Sequence, residues 1–410
     1  MPDRSARFRI ALAAALALLR AAPLGAQEDS APDSGLAAPE AVEARATRTL
    51  ARAGFANVAA AVEGSRVVVT FDNARYRDER RALREAARLL APELGAGQGL
   101  VLVPAFRGVP LLSARYDAAG EAAEGRPVEV SMEVAALPAA LASAPRASVS
   151  FGRADVVVHP WFEARFGDVH DAVESRTGVA PELRVALRRG LGLSAQLLFT
   201  LDDELETGES RVRPALVTLN QTARLPRNVF VSATAGAFTP DRYGVDVEGR
   251  AYSADGRWSA GAELALTGGS SFAREGWRFA PMRAPTALAD VAWRSARYDL
   301  TVRATAGAFL ADQRGVRLDV LRQFGELEVG WFGFKGGEGA NGGFTLRLPL
   351  PFTRHAMPGP VRLRAADAFP WQYRYVGLET SGRRFRTGAS LEELGRRWNP
   401  DFLSKTPEGR

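Results

Sequence analysis

From Ser148 to about residue 378 the chain alternates apolar and polar side chains in run after run, the period of two that a pleated strand imposes. Leu183, Val185 and Leu187 oppose Arg184 and Arg188, and Leu191 to Phe199 oppose Ser194 and Gln196 in the same way. Val245 and Val247 oppose Asp246, Glu248 and Arg250; Trp258, Ala260, Ala262 and Leu264 oppose Arg257, Ser259 and Glu263; Leu300, Val302 and Ala304 oppose Thr301, Arg303 and Thr305; Leu346 and Leu348 oppose Arg347. The stretch RLDVLRQFGELEVGWFGF, residues 317 to 334, reads as a hairpin turning at Phe324-Gly-Glu326. Leu318, Val320, Leu327, Val329 and Trp331 take one face of it, and Arg317, Asp319 and Glu328 the other. The pattern predicts about twelve strands, each near the nine to eleven residues that cross a bilayer.

Before Ser148 the period changes. Val42, Ala46, Leu50 and Ala51 recur at helical spacing up to Gly54. Two alternating runs about Glu63-Gly-Ser form a hairpin, and a second helix is expected from about Arg77 to Leu90, stopped by Pro92. Its Leu83, Ala86, Ala87 and Leu90 make an apolar face, leaving Arg77, Arg80, Arg81, Arg84 and Arg88 solvated or peripheral. Short strands about Arg107-Gly-Val-Pro and over 127–134 complete a small α+β module, 41–135, and 137–147 reads as a linker. The expected organisation is a secretory signal over 1–26, a disordered spacer over 27–40, the module, a barrel-like domain over 148–378 and a C-terminal tail over 379–410. The signal rests on Arg4, Arg7 and Arg9, an apolar stretch from Ile10 to Leu19, and small residues before Ala26.

Strict alternation has two physical readings. In a soluble sandwich the apolar face is the core; in an outer-membrane barrel it meets lipid, and the polar face lines the lumen. Long strands favour the barrel, as do short turns such as Ala254-Asp-Gly256 set against longer loops over 202–211, 268–285 and 335–343. So do aromatics such as Phe199, Trp258, Trp293, Tyr298 and Trp331 near strand ends. The expected class is mainly β, an antiparallel outer-membrane-type barrel preceded by an α+β periplasmic module. The chain has no cysteine, which removes disulfide and thiolate chemistry. Its net charge of +6 is carried by arginines spread along the chain, with lysine only at Lys335 and Lys405, so the pattern is not that of a nucleic-acid interface.

Catalytic chemistry has little to stand on. His159, His170 and His355 lie far apart and lack zinc-ligand spacing, and no Gly-x-Ser-x-Gly elbow nominates a nucleophile. GGEGANGG, residues 336–343, lacks the Gly-Lys-Ser/Thr ending of a phosphate loop, and the acidic run at 202–209 lacks EF-hand spacing. No catalytic residue, cofactor or metal is expected. The polar strand face is the informative feature: Arg250, Arg257, Arg303, Arg317, Asp319, Glu328 and Arg347 are the candidates for lumen and glycan contacts. Internal salt bridges filling a small barrel are the equally weighted alternative.

Three segments carry a resemblance. FDNARYRDERRAL at 71–83, GVRLDVLRQFGELEVGWFGFKG from Gly315 and GGFTLRLPLPF up to Phe352 resemble the YjbH/GfcD-type exopolysaccharide biosynthesis proteins of the bacterial outer membrane. That family shows an Arg-x-Phe-Gly turn, a Gly-rich loop and a strand ending in Pro-Leu-Pro, as Arg322-Gln-Phe-Gly325 and Leu348-Pro-Leu-Pro351 stand here. The resemblance implies an outer-membrane barrel with its N-terminal module in the periplasm, in contact with outer-membrane lipid, an extracellular polysaccharide and other polysaccharide-assembly proteins. WNPDFLSKTPEGR stands where many barrels place a terminal aromatic strand. A small-solute porin and a soluble periplasmic scaffold remain the alternatives.

Overall fold

The computed structural model describes residues 41–134, 139–166, 173–205, 210–273, 275–337, 339–373, 382 and 384–405. The expected signal and spacer lie outside them, as do His170 and parts of the predicted loops.

The N-terminal module is built as its periodicity dictates. Helix α1 (Val42–Arg52) buries Ala46 and Leu50, and Gly54 ends it with φ +93°, a left-handed conformation open to glycine. Strands β1 (Ala56–Glu63) and β2 (Arg66–Asp72) form the expected hairpin. Asp78 then caps α2 (Glu79–Leu90) by accepting from the Arg80 N–H. Strand β3 (Gly99–Phe106) returns parallel to β2, making a β-α-β crossover. Short strands β4 (Val109–Pro110), β5 (Ser113–Tyr116) and β6 (Glu129–Ser131), with helix α3 (Ala119–Glu124), complete a sheet of order β1-β2-β3-β5-β6. Leu50, Phe55, Phe71, Leu83, Leu90 and Tyr116 form the core beneath the helices. The other sheet face presents Ala59, Ala61, Val68 and Val103 to Leu141, so residues read as linker form helix α4 (Ala139–Ser143) and cover that face.

Among the described residues fifteen strands make the second sheet. In chain order they are β7 (Ala154–Phe166), β8 (Val173–Arg188), β9 (Leu191–Asp203), β10 (Val212–Leu225), β11 (Val229–Phe238), β12 (Arg242–Tyr252), β13 (Trp258–Ala273), β14 (Gly276–Phe279), β15 (Ala284–Ser295), β16 (Leu300–Ala308), β17 (Arg314–Phe324), β18 (Leu327–Gly336), β19 (Gly339–Pro349), β20 (Val361–Ala365) and β21 (Ala368–Gln372). From β7 to β19 neighbours pair antiparallel in sequence order, with β14 a branch on β13. At one end β20 pairs parallel with β7, and at the other β21 pairs with β19. The hydrogen-bonded order does not close into a ring. Only Ala366-Asp367 separates β20 from β21, however, so the two ends of the order meet: the Ala366 N–H donates to the Val158 carbonyl at 2.9 Å, and Phe162 lies 6.4 Å from Trp371 between ring centroids.

The count exceeds the expected twelve for local reasons. In β7 the Val156-Val157-Val158 run and Pro160 obscure the alternation, and β20 and β21 are each too short to show a period. The glycine run at 335–343 is mostly strand, Gly336 pairing with Gly339 and Gly333 with Gly342, because a ladder needs backbone groups and no side chains. Gly190 sits in the tight β8–β9 connection at φ +71°, where a Cβ would lie 2.0 Å from the Thr222 carbonyl.

The sheet's faces are inverted with respect to a water-soluble fold. Leu264 is 54% exposed, Val291 51% and Trp331 65%, while Arg250 is 3%, Glu248 6% and Arg303 6% exposed. The large sheet therefore has its core on the polar side.

The candidate site on the polar face

Charged residues line the buried face in cross-strand register. Arg250 on β12, Gly261 on β13 and Asp290 on β15 are successive partners. The Arg250 guanidinium passes over the glycine and donates to both Asp290 oxygens, at 2.7 and 2.9 Å. A Cβ at 261 would stand 2.6 Å from Arg250 Nη2 and 2.7 Å from Asp290 Oδ1, so this ion pair needs a residue without one. Arg303, on β16, reaches Asp290 at 3.7 Å. Arg317 donates bidentately to Asp319 and stacks 4.1 Å over the Phe332 ring.

Against this face lies the segment read from sequence as a tail. It contains helices α5 (Leu391–Arg397) and α6 (Pro400–Ser404), capped by Ser390 and Asn399. Glu392 and Glu393 start α5 while Arg396 and Arg397 end it, the arrangement that the helix dipole favours. Each charge meets a partner on the wall. Glu392 pairs with Arg303, Glu393 with Arg347 at 2.7 Å, Arg396 with Glu328 at 2.8 Å and Arg384 with Glu263 at 2.5 Å. Asp401 pairs with Arg294 at 2.9 Å and Lys405 with Asp299 at 2.5 Å. The Leu391 N–H donates to Glu248 at 2.9 Å, and the Tyr252 hydroxyl donates to the Leu391 carbonyl at 2.9 Å.

Toward the far ends of the strands, Arg317 donates to the Gly382 carbonyl, Phe385 stacks on Phe238 at 5.1 Å, and Arg386 exchanges backbone hydrogen bonds with Thr239. Arg347, with help from Arg396 and Arg397, lowers the Glu393 carboxyl to about 2 against its burial. Burial alone would raise Glu392, but Arg303, Arg384, Arg396 and Arg250 together outweigh it and hold that carboxyl well below the usual range.

The same segment joins the sheet to the module. Arg397 reaches Glu79 on α2 at 2.5 Å and Asp367 at 3.0 Å, and Arg80 lies 4.4 Å over the Phe402 ring. Leu391, Trp398, Phe402 and Leu403 share the module's apolar core with Phe230 of β11. Two arginines read as solvated or peripheral are buried here: Arg77, which precedes the helix, chelates Glu326 in the β17–β18 turn at 2.5 and 2.7 Å, and Arg80, in the first turn of α2, chelates the helix cap, Asp78. The correction has a physical reason: the β17–β18 turn and the C-terminal segment pack against the start of α2, whereas Arg88, farther along the helix, stays exposed. A charged cavity bounded by Arg77, Glu79, Glu328, Arg347, Asp367 and Arg397 marks the junction of module, sheet and segment.

Burial raises the Glu79 carboxyl from 4.5 to about 7, although Arg397 and the Asn73 amide oppose the shift. A raised carboxylate pKa means that the folded state keeps a proton which the unfolded chain has lost. The associated stability is complete below about pH 4.5 and is lost as pH rises toward 7, up to about 3 kcal/mol. Urea unfolding followed from about pH 5 to 8 should show a falling midpoint in the native chain and a flatter profile in Glu79→Gln. Parallel profiles for the two proteins would remove Glu79 as the cause.

Of the residues singled out from sequence, Arg250, Arg303, Arg317, Asp319, Glu328 and Arg347 stand on the polar face. Arg257 does not: it lies in the β12–β13 turn, largely exposed, 3.6 Å from Asp255. His159 bonds Glu182 at 2.8 Å, and His355 bonds Asp367 at 3.2 Å. Among the described residues no group of three or more His, Asp or Glu side chains is placed to hold a metal ion. Sequence reasoning missed the segment's Arg384, Glu392, Glu393, Arg396 and Arg397. The available signal was LEELGRR behind Ser390, a capped helix with its charges sorted by dipole.

An α+β module joined to an outsized, almost wholly antiparallel sheet with a buried charged face defines a mainly β class of protein. Residues 5–335 match the family YjbH, described as exopolysaccharide biosynthesis protein YbjH, and the chain belongs to that family. The match takes in FDNARYRDERRAL and most of the β17–β18 hairpin, while GGFTLRLPLPF lies beyond it. No curated protein and no solved structure matches the chain.

Proposed function

We propose that this chain is a non-enzymatic outer-membrane β-barrel acting in exopolysaccharide biosynthesis or export, with the N-terminal module on the periplasmic side. One observation carries the reading: the large sheet buries its arginines and carboxylates and exposes its leucines, valines and tryptophans. In water that arrangement forfeits about 25 cal/mol for each Å² of apolar surface left uncovered, whereas in lipid the same face is solvated and the polar side becomes a lumen. Several features support it. The two end strands of the order, β20 and β21, follow each other in the chain, which brings close together the edges that a bilayer would not tolerate open. Trp258 and Trp293 lie 6.5 Å apart on the exposed face at one end of their strands, as an interfacial girdle requires. The short β17–β18 turn is held by Arg77 of the module, which places the module at the short-turn end. Among the described residues no helix is long and apolar enough to span a bilayer, so the crossing would be by strands.

Family membership supplies the process, and the paired charges of the polar face give the wall a structural rather than a catalytic character. Cell fractionation with heat-modifiable gel mobility tests the barrel, and a protein recovered wholly in the soluble periplasm would refute it. Deletion of the gene should lower surface polysaccharide. Unchanged glycan with altered uptake of small solutes would instead establish a porin.

A further inference from the structure

Resting on the barrel reading, we infer that Gly382 and residues 384–405 form a displaceable plug that closes the polar passage and is released toward the module. The segment follows the polar face along its length. Gly382, Phe385 and Arg386 contact the end of the sheet remote from the module, at Arg317, Phe238 and Thr239. Thr387 and Leu391 meet Thr218 and Glu248 partway along, and Asn399 and Asp401 meet Gly256 and Arg294 at the module end. With the segment in place, Arg303, Arg317, Glu328 and Arg347 are all engaged by it, so no polymer can contact them at the same time.

The two ends are held by different physics. Near the module, Leu391, Trp398, Phe402 and Leu403 are anchored in an apolar core. Along the wall the fastening is mainly ionic, through Arg384, Glu392, Glu393 and Arg396, with Phe385 packed into a small apolar cluster with Phe238, Ala265 and Leu310 at the far end. Ion pairs exchange for water or for the charged and hydroxyl groups of an incoming chain at a small net free-energy difference, whereas buried apolar contacts do not. Apart from the Thr239–Arg386 bridge, the segment adds no rung to the strand ladders among the described residues, so moving it leaves those ladders intact. Helices of seven and five residues are too short to persist alone, and their order derives from these contacts.

The chain's lack of cysteine makes the test direct. A release variant, Arg384→Gln with Glu392→Gln, Glu393→Gln and Arg396→Gln, and a lock, Thr239→Cys with Arg386→Cys, are made in the full chain and reconstituted in planar bilayers. Retained heat-modifiable mobility shows that each wall has folded. The wild type should be electrically silent, the release variant should conduct in steps, and the oxidised lock added to it should silence it until reductant is supplied. In cells, the lock alone should lower surface glycan when oxidised and restore it when reduced. A folded release variant that stays silent, or a locked protein that supports glycan at the wild-type level, overturns the plug and leaves the barrel standing. A wild type that fails to insert into lipid overturns both.

Discussion

Replacing Arg250 with methionine should destabilise the protein by about 3–5 kcal/mol, the range found when one partner of a buried ion pair is removed. Asp290 would lose the two short hydrogen bonds that it now accepts and keep only Arg303, 3.7 Å away. Glu248, which is buried and has Arg250 3.8 Å distant, would lose a neighbouring positive charge as well. The loss comes from stranding charge, not from removing bulk, so the double variant Arg250→Met with Asp290→Leu should recover much of it. Gly261→Val should resemble the single variant, because its side chain would occupy the path of the ion pair. Urea unfolding of the three proteins in the same lipid or detergent checks the series. A double variant no more stable than Arg250→Met would mean that Asp290 does not depend on this partner.

Arginine at Leu264 should cost about 2–4 kcal/mol and lower the yield of folded, heat-modifiable protein, as expected for a cation at mid-depth on the lipid face of a barrel. Leu264 lies near the middle of β13, between Val247 and Ala287, and is 54% exposed. Its exposure makes the experiment decisive. If this face met water, the substitution would fall among surface changes worth within about 0.5 kcal/mol, and the new charge would help solubility. Val291→Arg, on the neighbouring strand's exposed face, should behave in the same way, and the two should add because the sites do not share a partner. Normal folding of both variants would return the sheet to an aqueous setting.

The module was legible nearly residue by residue. Helix α1, the β1–β2 hairpin and α2 have amphipathic periods, a Gly54 stop and an Asp78 cap written locally. The hairpin at 317–334 was equally plain, its turn falling at Gly325-Glu326 between β17 and β18. Legibility failed where local pattern and tertiary role part company. β7 carries consecutive valines, and one of its two partners, β20, pairs with it in parallel from far along the chain. The C-terminal segment looked like a tail because seven residues of amphipathic helix predict nothing until a wall of opposite charges is set against them. Six of the seven polar candidates were placed on the right face by alternation alone, and Arg257 was displaced because the β12 and β13 pattern runs on through a turn.

The sequence by itself determined the period of two, and with it the existence of one apolar and one charged face on every long strand, since side chains on a pleated backbone must alternate. It also settled the absence of cysteine and carried the match to the family over residues 5–335. Only the tertiary structure decided which face is buried, because alternation is symmetric between a fold with its apolar side inside and one turned outward. It alone supplied the partners as well. Arg250 finds Asp290 across a glycine on the strand between them, and Arg396 finds Glu328 from 68 residues away, distances in sequence at which no local pattern carries information about charge pairing.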